Sequence, residues 1–116
     1  MIDQIRPAAF AQWVNAQSGQ TPLLLDVRES WEHGTASVRT LSQAAAFDVL
    51  YLPLREVPTR LTELPADRPI ACLCHHGIRS QHVALYLQQR GFEQVINIQG
   101  GIDAWSAELD PQIPRY

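Results

Sequence analysis

Residues 69–91 read PIACLCHHGIRSQHVALYLQQRG, and their reading decides the fold. Ile70, Ala71, Cys72, Leu73 and Cys74 form an unbroken apolar run, the pattern of a strand buried on both faces. His75, His76, Gly77, Ile78 and Arg79 then make a turn. From Ser80 the apolar positions Val83, Ala84 and Leu87 fall three and four apart, which is helical spacing, and Gly91 supplies a C-terminal stop. The spacing predicts a buried strand, a short loop opening on Cys74, and an amphipathic helix. Free N–H groups and the positive dipole end of that helix favour an anion, so a thiolate at Cys74 is stabilised there.

On the N-terminal side, Ile2 to Ile5 reads as a short edge strand. Pro7 suits a first helical position, and Phe10, Trp13 and Val14 share one helical face before that helix ends near residues 17–19. LLLDV (Leu23 to Val27) is a buried strand. Asp26 and Arg28 lie at its C-terminal end, the edge where parallel α/β sheets place ligands; both are read as structural, tying the strand end to neighbouring loops. Ser30 caps a short helical turn through Trp31, Glu32 and His33. Residues 34–47 are rich in small and polar side chains, with a helical piece over Leu41 to Phe47. DVLYL (Asp48 to Leu52) is another strand. Pro53 to Leu64 is expected to be mostly helical, with Pro58 in the first turn, Leu61 and Leu64 facing inward and Pro65 as the stop.

On the C-terminal side, QVINI (Gln94 to Ile98) is a strand, and Gly100-Gly101 turns the chain into a last helix carrying Ile102 and Trp105. Asp110 to Tyr116 contains Pro111 and Pro114 and is expected to be extended. Trp13, Trp31 and Trp105 are read as core or rim packing. Strands alternating with helices imply an α/β fold: a mostly parallel sheet covered on both faces.

The 116 residues are expected to form one domain over 1–116, large enough for a core and too small for two. A composition 46% hydrophobic and 18% charged is that of an ordinary globular protein. A formal charge of −3 gives no support for a nucleic acid or an acidic membrane as partner, and no run approaches the length of a membrane span. MIDQIRPAAF lacks a basic segment followed by an apolar one, so no secretory signal is expected. The two cysteines, 72 and 74, are separated by about 6.6 Å of strand and start out pointing the same way, which disfavours a disulfide. Reduced thiols in a cytoplasm fit better.

Four motifs now stand in order: DVRE (Asp26 to Glu29), CHHGIRS (Cys74 to Ser80), RGF (Arg90 to Phe92) and QGGIDAW (Gln99 to Trp105). Together they resemble a single-domain rhodanese over about Ile5 to Trp105. The CHHGIRS loop, the IDAW segment and the DP-x-x-P-R-Y ending are most similar to a group of small bacterial rhodanese-like proteins. The resemblance implies an α/β fold with a central five-stranded, mainly parallel sheet. It also implies sulfurtransferase activity: the loop cysteine takes a sulfane sulfur from a donor such as thiosulfate, holds it as a persulfide and passes it to cyanide or to a thiol, including a protein thiol. Carried over by position, Cys74 is the nucleophile, and Cys74, His75, His76, Gly77, Ile78 and Arg79 form the cradle, with Ser80 completing the substrate-binding set. No cofactor is implied. One segment departs from the pattern: TASVRTLSQAAAF follows His33-Gly34 where the family carries a G-H-I-x-G-A-like segment.

Within the loop, backbone N–H groups are expected to converge on the sulfur as an anion-binding nest, stabilising both thiolate and persulfide without a separate base. Cys72, inside the apolar strand, is expected to be inert, with a raised pKa. Gly77 is expected to take a positive φ. Arg79 has two readings, a solvated side chain at the loop edge or a guanidinium that helps bind dianionic thiosulfate; the second is favoured. His75 and His76 read equally as donor-attracting or proton-transferring groups and as solvated loop residues. C-x-C-H-H with His82 does not form separated ligand pairs, so no metal site is assigned. Two other functions remain. A rhodanese-like persulfide carrier or interaction module would show little thiosulfate turnover. A cysteine-dependent phosphatase needs a longer loop, whereas Arg79 stands five positions after Cys74 and residue 80 is serine.

Overall fold

The computed structural model describes residues 2–17, 19–29, 31–32, 47–109 and 111–113. Five strands form one sheet: β1 (Asp3–Ile5), β2 (Leu23–Asp26), β3 (Asp48–Tyr51), β4 (Ile70–Leu73) and β5 (Val95–Ile98), in the order β1-β5-β4-β2-β3. All four pairings are parallel. The central strands β2, β4 and β5 are buried along their whole length, as their continuous apolar runs require.

Because side chains alternate across a strand, the sheet divides the core in two. On one face Leu23, Leu25, Cys72, Cys74 and Val95 pack with Val83, Ala84 and Leu87 of α2 (Ile78–Gln89) and with Val57 and Leu64. On the other, Leu24, Ala71, Leu73, Ile96 and Ile98 pack with Phe10 and Val14 of α1 (Phe10–Asn15) and with Ile102 and Trp105 of α3 (Gly101–Glu108). Phe10 is the hub of that second layer, with ring centroids 5.0 Å from Trp105, 4.9 Å from Phe47 and 5.8 Å from Trp13. Fully burying side chains such as Val83 and Leu87 contributes roughly 1.5–3 kcal/mol each, so tertiary packing rather than propensity holds α2 in place.

The α/β architecture agrees with the sequence, and several local expectations are corrected. Residues 53–64 form two short 3-10 turns, Leu54–Glu56 and Leu61–Glu63, instead of a helix. Pro53, Pro58 and Pro65 leave only short stretches between them, and Pro58 has no N–H to continue an α-helical ladder. Leu64 is nevertheless buried and Leu61 packs against the same cluster, so the inward face is as expected. α2 begins at Ile78, two residues earlier than its apolar spacing suggests, so Ile78 and Arg79 belong to the helix. Trp31 is 66% exposed, unlike the buried Trp105, and so lies outside the core. In the tail, residues 111–113 form a turn and not an extended chain, with Ile113 buried and its carbonyl accepting from Ser106. The expected Ser30 cap, the segment 34–46 with most of the helical piece over 41–47, and the rest of the tail lie outside the described residues. No helix among the described residues is long and apolar enough to cross a membrane.

Candidate active site

The loop between β4 and α2 is held from below by the first turn of α3. Ile102 N–H donates to the Cys74 carbonyl at 2.8 Å, and Asp103 N–H donates to the His75 carbonyl at 3.1 Å. Helix-terminal amides with no partner inside their own helix are thereby used to anchor the loop. Gly101 makes this seat possible: a Cβ there would lie 2.4 Å from both the Cys74 and the His75 carbonyl oxygens. Gly77 closes the loop with φ +99°, the left-handed conformation expected for it, immediately before α2.

The Cys74 side chain is 1% exposed. Its Sγ accepts from Gly77 N–H at 3.0 Å and lies 3.3 Å from the Ser80 hydroxyl. The expected ring of amides is therefore replaced, among the described residues, by one amide and one hydroxyl. The early start of α2 explains the difference, since Ser80 is already in its first turn and turns its side chain to the sulfur. Behind these donors stands Asn97 of β5, 1% exposed, whose amide nitrogen donates to the Gly77 carbonyl at 3.0 Å and to Gln4 Oε1 at 2.8 Å. Its Oδ1 accepts from Ser80. Asn97 was not among the residues singled out from sequence; a lone polar side chain in the otherwise apolar run Val95–Ile98, buried at every position, was the available signal.

Cys72 has a different environment. It is fully buried, and burial first, then the neighbouring Cys74, pushes its thiol well above the usual range. Both thiols are free.

Arg79 points its guanidinium at Glu32, with Nη1–Oε1 at 2.8 Å and Nη2–Oε2 at 2.9 Å, a two-pronged ion pair in which the Glu32 side chain is 3% exposed. Glu32 also accepts from Glu29 N–H at 2.9 Å. Asp26 and Arg28 form a second, fully buried pair at 2.7 Å, and an Arg28 Nη1–H reaches the Glu32 carbonyl. The DVRE segment thus locks the end of β2 to the loop through charges matched in place. Ile78 is 69% exposed at the start of α2. His75 and His76 stack with ring centroids 3.9 Å apart. Their ligand atoms and a carboxylate oxygen of Asp103 all lie within 4.8 Å of one another, a set with the donor chemistry to hold a divalent cation. Asp103 joins that group through the fold alone.

The chain is similar to known proteins along nearly its whole length. A family model described as Rhodanese-like domain matches residues 10–108. A protein named Sulfurtransferase from Allochromatium vinosum is 37% identical over 106 residues, covering 91% of this chain and 90% of that one. The Putative sulfur carrier protein YrkF from Bacillus subtilis is 33% identical over 109 residues, covering 94% of this chain and 54% of its own length. Of solved structures, a rhodanese-related protein from Thermoplasma volcanium superposes with a TM-score of 0.74 at 25% identity, covering 98% of this chain and 99% of that one.

Proposed function

Because this chain belongs to the rhodanese-like domain family, whose relatives support sulfur transfer in general, we propose that it moves sulfane sulfur from thiosulfate or a related donor to a thiol or cyanide through a persulfide on Cys74. The Cys74 thiolate attacks the outer sulfur of thiosulfate, the S–S bond of the donor breaks, and sulfite leaves with the bonding pair. The acceptor then attacks the terminal sulfur of the persulfide and the thiolate returns. The supporting observation is the pair of donors at Cys74 Sγ, Gly77 N–H at 3.0 Å and Ser80 Oγ at 3.3 Å, which stabilise negative charge on sulfur in an otherwise buried position.

The remaining members of the set act around that sulfur. His75 and His76 line the loop beside Asp103, and Ile78 presents an apolar side chain to solvent. Arg79 brings a cation whose charge Glu32 already balances, so it assists an anionic donor when the sulfonate takes the place of the Glu32 carboxylate. Mass spectrometry after incubation with thiosulfate tests the reading: a gain of about 32 Da on Cys74, discharged by cyanide, is expected. Absence of the adduct on folded protein overturns it.

A second reading, a persulfide carrier with little thiosulfate turnover, is favoured by the near-complete burial of Cys74, which slows its attack on a bulky dianion. It predicts that a persulfide donor loads Cys74 while thiosulfate loads it slowly, with release to a protein thiol faster than to cyanide. Under the same proposal this chemistry runs in the cytoplasm, where thiols are kept reduced.

A further inference from the structure

We propose that Asn97 is the positioning residue that sets the nucleophilicity of Cys74, because its one side-chain amide holds both hydrogen-bond donors of the sulfur. This rests on Cys74 being the sulfur-bearing group. Gly77 N–H and Ser80 Oγ approach Cys74 Sγ, and each is tied to Asn97: Gly77 through its carbonyl, which accepts from Nδ2 at 3.0 Å, and Ser80 through its hydroxyl, which donates to Oδ1. The second Nδ2 hydrogen goes to Gln4 Oε1 at 2.8 Å. With two oxygen acceptors in front of Nδ2, the amide has one satisfactory orientation, and its oxygen must face Ser80.

Ser80 carries one hydroxyl hydrogen and has two acceptors in reach, Asn97 Oδ1 and Cys74 Sγ. Pointed at Asn97, the hydroxyl leaves a lone pair toward the sulfur and accepts from a neutral S–H. Pointed at Cys74, it donates to a thiolate. Asn97 thus competes with the sulfur for that hydrogen while it keeps Gly77 N–H aimed at the same atom. Ser80 and Asn97 are 0% and 1% exposed, so no solvent relieves the competition. The long arm of the network reaches Gln4 on β1, so the edge strand, far from the loop in sequence, braces the amide.

The test is the pH profile of Cys74 alkylation by iodoacetamide, followed by mass spectrometry of the Cys74 peptide in the full chain. In Asn97→Asp a carboxylate draws the Ser80 hydrogen away, faces the Gly77 carbonyl without a hydrogen to donate, and adds negative charge beside the sulfur. The midpoint is expected to move up by about one pH unit. Ser80→Ala is expected to move it in the same direction, and the double variant by less than the two shifts combined. A wild-type profile in folded Asn97→Asp, or fully additive shifts, overturns the proposal. Should Asn97→Asp fail to fold, Ser80→Ala is compared with Ser80→Ala/Asn97→Ala: a further upward shift from loss of the Gly77 tether supports the assignment, and superimposable profiles overturn it. Alkylation needs no sulfur donor, so this readout stands apart from persulfide formation. A wild-type protein that alkylates at Cys74 yet never takes sulfur refutes the sulfur-transfer reading and leaves the Asn97 network to be judged by its own shifts.

Discussion

Cys72 and Cys74 stand two residues apart, pack in the same core cluster and are 0% and 1% exposed, yet their surroundings have opposite chemistry. Cys72 lies in register with Asn97 inside the sheet, but among the described residues no hydrogen bond reaches its sulfur, and burial together with the neighbouring Cys74 pushes its thiol well above the usual range. Around Cys74 the chain has left the strand, and Gly77 N–H and Ser80 Oγ face the sulfur. Under the proposed function, burial therefore does not separate the inert thiol from the reactive one. The separation comes from what replaces water at the sulfur: among the described residues no hydrogen bond in one case, Gly77 N–H and the Ser80 hydroxyl in the other.

The largest effect expected from breaking this contrast is in Cys74→Ser, which should reduce sulfur loading and transfer to below about 1% of wild type, whereas Cys72→Ala retains most of it. Equal loss in both, with circular dichroism showing folded protein, would erase the distinction. Next comes Gly101→Ala, which leaves both thiols in place but drives a Cβ into the carbonyls of Cys74 and His75 at a φ of +61°. A stability loss of about 1–3 kcal/mol is expected by urea denaturation, with transfer falling more than stability explains. Wild-type turnover would mean that the seat on α3 does not shape the donor geometry.

Smaller changes are expected at the ion pair beside the loop. Arg79→Ala should raise KM for thiosulfate about threefold to tenfold with a lesser change in kcat, and Glu32→Gln should lower that KM by releasing the guanidinium. A KM unmoved in both variants removes Arg79 from donor binding. The smallest effect concerns Cys72 itself. Its folded pKa lies above the unfolded one, so its contribution to stability is complete below about pH 8.5 and declines as pH rises toward the folded value. Denaturation of wild type between pH 7 and pH 10 should show a decline that Cys72→Ala flattens. An identical slope in the two proteins would contradict the raised thiol pKa.

The strand–loop–helix unit was legible because its signals are local. Five consecutive apolar residues, a glycine before a helical repeat and a stop at Gly91 each depend on neighbours within a few positions. Leu61 and Leu64 were likewise correctly turned inward although their helix was not, since side-chain burial follows the apolar pattern while backbone hydrogen bonding there is interrupted by Pro58. Trp31 could not be assigned between core and rim from sequence, because apolar composition does not say how much will cover it; at 66% exposure it is outside the core.

The partners that define the site come from far along the chain. Glu32 meets Arg79 across 47 positions, Ser80 meets Asn97 across 17, and Asn97 meets Gln4 across 93. The amides of α3 that fix the loop carbonyls arrive through the order β1-β5-β4, which places the β5–α3 turn under the end of β4. By itself the sequence determined the parallel α/β alternation, the cysteine at a strand end and the glycine that closes its loop, since backbone conformation and hydrophobic periodicity are short-range properties. Only the tertiary structure decided which groups donate to that sulfur and what orients them. Hydrogen bonds of that kind depend on ångström-scale approach between side chains on different strands and helices, and strand order sets that approach.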